Sequence, residues 1–147
     1  MVTILTLHAF CTLAMVGLIW FVQVVHYPLF AGVGADRFVA YEAWHVRRTT
    51  LVVGPLMLGE AASALALMAF VGEHGLPALM VWSGLGLLAL CWLSTAFVQV
   101  PLHRRLERGW DAQAGRKLVT TNWVRTIAWT VRGVLALGLL HTAGGNS

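Results

Sequence analysis

Long apolar stretches alternate with short polar ones along this chain. The apolar stretches cover residues 3–25, 50–72, 77–100 and 118–140. Each reaches the roughly 20 mostly apolar residues that a helix needs to cross a bilayer. The pattern predicts an all-α, polytopic membrane protein: a single domain over 1–147, built as a four-transmembrane-helix bundle. The first stretch does not read as a cleaved signal. No basic residues precede it, no small-residue cleavage site follows it, and its apolar run is too long.

The polar segments carry local instructions. Tyr27-Pro28 is expected to end or kink the first helix, because proline lacks an N–H and restrains the residue before it. Asp36 is placed to cap a short amphipathic segment over 37–45. Its Phe38, Tyr41 and Trp44 recur at helical spacing and suit the membrane interface. Gly109 and Gly115 punctuate the loop before the fourth stretch, and the final Gly144-Gly145-Asn146-Ser147 reads as a frayed end.

Composition narrows the class. Hydrophobic residues make up 59% and charged residues 11%, against about 45–50% and about 25% in a soluble domain. That excludes a soluble globular domain, a disordered tail and a nucleic-acid module. The net charge of +4 does not mark a DNA-binding face, because eight of the ten basic residues sit in two loops. Arg37, Arg47 and Arg48 lie between the first and second stretches. Arg104, Arg105, Arg108, Arg116 and Lys117 lie between the third and fourth. The turn Glu73-His74-Gly75-Leu76 and both termini carry none. By the positive-inside rule both basic loops are cytoplasmic and both termini lie outside a cell membrane. Cys11 and Cys91 fall inside apolar runs, with neither a disulfide framework nor metal-type spacing, and read as small buried residues.

The chain also echoes itself. Phe21-Val22-Gln23-Val24 returns as Phe97-Val98-Gln99-Val100, each near a histidine and a proline. Trp44-His45-Val46-Arg47 aligns with Asn122-Trp123-Val124-Arg125. Each half is then helix, basic loop, helix, so the bundle is expected to be two pseudo-repeated helical hairpins. Their axis runs along the membrane normal, with corresponding polar residues converging on it.

Ionisable residues within membrane spans are costly and normally face a partner. The fourth stretch carries Asn122, Arg125, Trp129 and Arg132, spaced by three, four and three, on one helical face. Arg125 is near enough to the cytoplasmic end to snorkel. Arg132 lies about 20 Å in, at the depth of Glu60, so the two are expected to pair, as a structural lock or as part of a site. The histidines divide by side: His26, His45 and His103 at the basic end, His8, His74 and His141 at the other. Either trio supplies enough imidazoles for zinc, copper or iron, or simply makes interfacial hydrogen bonds.

The basic-end trio has Gln23, Tyr27, Glu42, Gln99, Asn122 and Arg125 at similar depth. That set predicts a cytoplasm-facing pocket for a lipophilic aromatic or quinone-like molecule with a polar head. His26, His45, Asn122 and Arg125 would be catalytic there, the histidines moving protons and arginine holding an oxyanion. Gln23, Gln99, Trp129, Arg132 and Glu60 would bind substrate, the last two at the floor. If a metal ion is the cofactor, His26, His45 and His103 are its candidate ligands.

Pro101-Leu102-His103 with Leu106, followed by Asn122-Trp123-Val124-Arg125-Thr126, resembles the anthrone-oxygenase-like family of small four-helix membrane proteins. Two departures stand out: His103 occupies the place of the family's usual Asn, and Asn-Trp precedes Val-Arg-Thr where the family has His. The resemblance covers about a quarter of the chain and implies oxidation of an aromatic or quinone-like molecule. Leu7-His8, Trp20-Phe21 and Tyr27-Pro28-Leu29-Phe30 are similar to the first helix of the HemJ-like protoporphyrinogen oxidases. That likeness implies a haem-binding redox protein with His8 as axial ligand. A third expectation is non-enzymatic: an accessory subunit, or a small transporter with a proton path through Glu60 and Arg132. Gly59-x-x-x-Ser63 would let another helix approach closely, within the chain or in a homo-oligomer or helper complex.

Overall fold

The computed structural model describes residues 1–72 and 76–144. The expectations for the turn around His74 and for the last three residues lie outside the described residues. Four helices, each long and apolar enough to cross a membrane, run through the molecule: α1 (Val2–Gly32), α2 (Ala35–Phe70), α3 (Ala78–Leu106) and α4 (Ala112–Gly144). α1 packs on α2 and α4, and α3 packs chiefly on α4. The protein is an all-α, multi-pass membrane bundle.

Every helix outruns its apolar stretch. Pro28 does not end α1. The helix widens into a π-helical turn over Val22–His26, resumes as an α-turn at Tyr27–Leu29 and closes in a 3-10 turn at Phe30–Gly32. Proline cannot donate to the carbonyl four residues back and crowds it, and a widened turn relieves both. α3 does the same: a π-helical turn over Thr95–Gln99 stands two residues before Pro101.

The segment 37–45 is not a separate interfacial helix. It is the first part of α2, which runs unbroken from Ala35 because neither Gly nor Pro intervenes before Gly54. Gly34 precedes the helix and no side chain caps it, so Asp36 sits in the first turn without acting as the cap. The inward face is also a different one. Phe38, Glu42 and His45 are buried, whereas Trp44 is 62% exposed and Tyr41 partly so. Asp111 does cap a helix: its Oδ1 accepts from the N–H groups of Gln113 and Ala114, which starts α4 six residues before its apolar stretch. Gly109, at φ 146°, makes the turn ahead of it.

The core is layered. Phe30, Phe38, Leu106 and Leu118 fill the basic end. Met15, Ile19, Met57, Cys91, Ala128 and Trp129 fill the middle, and Leu5, Leu67, Leu76, Val81 and Leu139 the far end. Cys11 and Cys91 are free, buried thiols. Gly59 faces α1 so closely that a Cβ there would stand 2.9 Å from Cys11 Sγ. The Gly59/Ser63 stripe therefore serves packing within the chain. The outward faces carry large apolar residues such as Phe10, Leu51, Leu79, Phe97 and Val134. Glu42, Glu60, Asn122, Arg125 and Arg132 turn inward. Apolar outside and polar inside suits a lipid surround, where an outward polar group finds no partner.

Candidate functional site

At the basic end, α1 presents Gln23, His26, Tyr27 and Phe30, α2 presents Glu42 and His45, α3 presents His103, and α4 presents Asn122 and Arg125. Glu42, fully buried, binds His103 Nδ1 through Oε1 at 2.5 Å. His103 Nε2 lies 3.0 Å from the Tyr27 hydroxyl. A carboxylate can only accept, so Nδ1–H donates to Glu42 and the other nitrogen of a neutral ring accepts from the phenol. The Tyr27 oxygen also meets the Arg125 guanidinium. Arg125 donates from Nη1 to Asn122 Oδ1 at 3.2 Å, and its guanidinium stands 5.1 Å over the Trp129 ring. Asn122 Nδ2 donates to Gln23 Oε1 at 2.9 Å, and Gln23 Nε2 donates to the Val119 carbonyl at 3.1 Å. One hydrogen-bonded network therefore ties all four helices together.

Beside it, His26 Nε2 and His45 Nδ1 are 2.7 Å apart, with Thr49 Oγ1 3.1 Å from the same His45 nitrogen. One imidazole of this pair donates and the other accepts. The Phe30 ring packs edge-on against both, 5.2 Å from His26 and 5.1 Å from His45.

The expected residues thus meet, though differently from expectation. His26, His45, His103, Asn122 and Arg125 do not surround a common cavity; their side chains interlock. The adjacent hollow, about 370 Å³, is walled by Tyr27, Pro28, Trp110, Gly115, Arg116 and Thr120. Gly115 lets the Trp110 indole fold against α4, since a Cβ there would stand 2.7 Å from the ring. Arg125 does not snorkel. It is buried, because Tyr27, Asn122 and Trp129 give its guanidinium partners inside. Gln99 stands apart, donating to Thr121 Oγ1 at 3.0 Å across the α3–α4 contact.

The metal expectation does not fit this geometry. His26 Nε2 and His45 Nδ1 are directed at each other, and the two nitrogens of His103 at Tyr27 and Glu42. Among the described residues no group of three or more His, Cys, Asp or Glu is arranged to hold a metal ion.

Deeper in the bundle the expected ion pair is present. Arg132 Nε donates to Glu60 Oε1 at 2.9 Å, and both side chains are buried. Trp129 Nε1 donates to Glu60 Oε2 at 2.9 Å, and Arg132 also donates to the Gly84 carbonyl. These residues are not the floor of the hollow; they lie beyond Trp129, whose ring separates the two regions. His8 is buried, 3.1 Å from Ser63 Oγ. The cavity it shares with Gly84 and Arg132 is only about 10 Å³, with Leu67, Val81 and Leu139 packed around it. A porphyrin does not fit there, so His8 is not placed as a haem ligand. His141 is exposed whereas His8 is buried, and His74 lies outside the described residues.

Sequence reasoning undervalued three residues: Tyr27 as the link between His103 and Arg125, Glu42 as the partner of His103, and Trp110 as a wall. Glu42 had a signal, because Phe38, Glu42, His45 and Thr49 share a helical face. Trp110 had none, because its place depends on how the loop folds back.

The fold and this interior define a four-helix, multi-pass membrane protein with ionisable groups held inside the bundle. Compared with known proteins, the chain matches no family model, no curated protein and no solved structure.

Proposed function

We propose that the protein is a membrane oxidoreductase site for a lipophilic hydroxyaromatic or quinone-like molecule, which binds in the hollow beside Tyr27. The observation that carries this reading is the hydrogen-bonded chain Glu42–His103–Tyr27, whose last member is also a wall of that hollow. Its volume falls within the usual range of roughly 300–1,000 Å³ for small-molecule sites. Tyr27 and Trp110 offer aromatic walls, and Arg116 and Thr120 offer polar contacts for an oxygen at the mouth.

A bound phenol gives its proton to the Tyr27 oxygen as Tyr27 gives its own to His103 Nε2. Glu42 stabilises the resulting imidazolium, the negative charge is left on the bound phenolate, and Arg125 steadies the charge that builds on the tyrosine oxygen during the transfer. Removing the proton makes the ring easier to oxidise. A hydroquinone then yields a quinone as two electrons pass to a separate oxidant, dioxygen or another quinone, and its two protons leave. The resemblance to the anthrone-oxygenase-like family points the same way.

Two further elements belong to this reading. The site faces the cytoplasm, because the basic loops border it. The halves form a pseudo-repeat, supported by the recurring Phe-Val-Gln-Val at a π-helical turn before each proline. A cysteine substituted for Gly109 is expected to react with an impermeant thiol reagent only after cells are opened.

The test is aerobic oxidation of a naphthohydroquinone by the purified chain, followed by absorbance, with binding followed by quenching of tryptophan fluorescence. Wild type is expected to bind and turn over, and Tyr27→Phe to bind but turn over about 100-fold or more slowly, the lower range for a lost acid–base group. Absence of binding, or wild-type turnover in Tyr27→Phe, overturns the reading.

A further inference from the structure

The ten basic residues are not all occupied. Arg37 reaches Asp36 and Arg105 reaches Asp111. Arg125 and Arg132 are held inside the bundle. Arg47 and Arg48 differ from these four. Both are exposed, and among the described residues neither meets a carboxylate. Arg48 lays its guanidinium 4.9 Å over the Trp44 ring. An arginine stacked this way keeps its edge N–H groups free, and its flat fork suits the paired oxygens of a phosphate.

The two arginines border an open hollow of about 580 Å³ on the outer face of α2, lined by Ala43, Trp44, Arg47, Arg48 and Leu51. Steps of one, three, one and three residues keep the five on one side of the helix, over about 12 Å of rise. Their order along the helix is the order of a bilayer. The apolar stretch of α2 starts at residue 50, so Arg47 and Arg48 stand at its edge. Side chains on a helix lean toward its N-terminus, here away from the bilayer centre, which carries both guanidiniums to headgroup level. Trp44 lies on the same side, in the interfacial layer that tryptophan favours. Leu51, 70% exposed, faces the hydrocarbon below.

A ligand that satisfies this face needs an anion at the arginines and hydrocarbon at Leu51, within one molecule. We propose that the face is a binding site for an anionic phospholipid, whose phosphate takes the Arg47 and Arg48 guanidiniums and whose acyl chain lies along Leu51. Basic side chains next to a membrane span attract anionic lipids in just this layer. A zwitterionic choline headgroup brings its own cation to the phosphate and competes with the arginines. A soluble anion leaves Leu51 and the indole unused. The site shares no residue with the hollow beside Tyr27 and does not depend on the oxidoreductase reading.

The full chain is placed in phosphatidylcholine vesicles that contain rising fractions of acyl-brominated phosphatidylglycerol or acyl-brominated phosphatidylcholine. Bromine quenches the fluorescence of an indole that it touches. Trp44 is one of seven tryptophans, so its share of the quenching is the difference between wild type and Trp44→Phe, which keeps a ring under Arg48. Half of that share should be lost at an about fivefold or more lower fraction of the phosphatidylglycerol than of the phosphatidylcholine. Combining Arg47→Gln with Arg48→Gln should bring the two lipids together. Both side chains are exposed, so the melting temperature of that double variant should match wild type. Arg104→Gln, which removes another exposed charge at the same end, should keep the preference. Equal quenching by the two lipids in wild type overturns the proposal, as does a preference that survives the double variant. Loss of the preference in Arg104→Gln also overturns it, since the charge of the whole end would then recruit the lipid. So does displacement of the lipid by millimolar glycerol 3-phosphate, since the ligand would then be a soluble phosphate.

Discussion

The basic-end network and the Glu60–Arg132 cluster use the same kinds of residue to opposite ends. Each has a buried glutamate from α2, a histidine and an arginine from α4. Around Glu60, both carboxylate oxygens are occupied by strong donors, Arg132 and Trp129, and apolar side chains seal the cluster. Around Glu42, only one oxygen is engaged, and the partner is an imidazole that hands the interaction on to a phenol at a hollow. Fixed charges locked on each other resist change. Groups that both donate and accept can exchange a proton without losing their contacts. Shared residue types thus give one region suited to holding the bundle and one suited to chemistry.

The largest effect that would break this contrast is in the ion pair. Glu60→Gln or Arg132→Gln alone leaves a buried charge without its counter-charge, a loss expected at about 3–5 kcal/mol. Thermal melting in detergent measures it. In a double-mutant cycle the pair should lose less than the sum of the singles, and additive losses would show that the two groups are not coupled.

At the basic end a smaller loss is expected. Tyr27→Phe removes one hydroxyl shared by His103 and Arg125 and should cost about 1–3 kcal/mol in the same measurement. A cost equal to that of Arg132→Gln would erase the distinction between the two regions.

The smallest effect concerns the cap that fastens α4 beside the hollow. Hydrogen bonding from the Ala114 N–H holds the Asp111 carboxyl below the usual carboxylate range, with the Arg105 guanidinium and the Gln113 N–H adding to it. A lowered folded-state pKa gives stability that is present above the ordinary carboxylate value and lost as pH falls through the lowered one. Wild type should therefore lose melting temperature through that acid window, and Asp111→Asn should flatten that part of the profile. An identical acid profile in both proteins would remove Asp111 from the account.

Much of this was legible in the residues. The lengths of the apolar runs placed four helices. Matching depth paired Glu60 with Arg132, since a deep charge needs a partner wherever the helices rotate. Depth also gathered His26, His45, His103, Asn122 and Arg125 at one end. Rotation was harder to read. Phe38, Tyr41 and Trp44 looked like the meaningful face of the segment 37–45, but the inward face is Phe38, Glu42 and His45, because α2 continues as one helix and the bundle sets its angle. Position along α4 alone leaves Arg125 free to reach the headgroups, and only the three-dimensional placement of Tyr27 and Trp129 turns it inward. The hollow depends on Trp110 closing over Gly115, a tertiary event without a local signature.

The π-helical turn in α1 acts on phase. Met15, Ile19, Gln23 and Tyr27 are all buried, at successive steps of four residues. In a regular helix each such step overshoots a full turn by about 40°, so three steps would swing Tyr27 about 120° around the axis. The wider turn over Val22–His26 absorbs the surplus residue and returns the phenol to the bundle. Without that wider turn, a regular helix of the same residue count would carry the phenol toward the lipid, whereas deleting the surplus residue would straighten the helix and leave the phenol facing inward. The meeting of Tyr27 with His103 thus depends on one surplus residue being absorbed by the backbone, apart from any choice of side chain at the site.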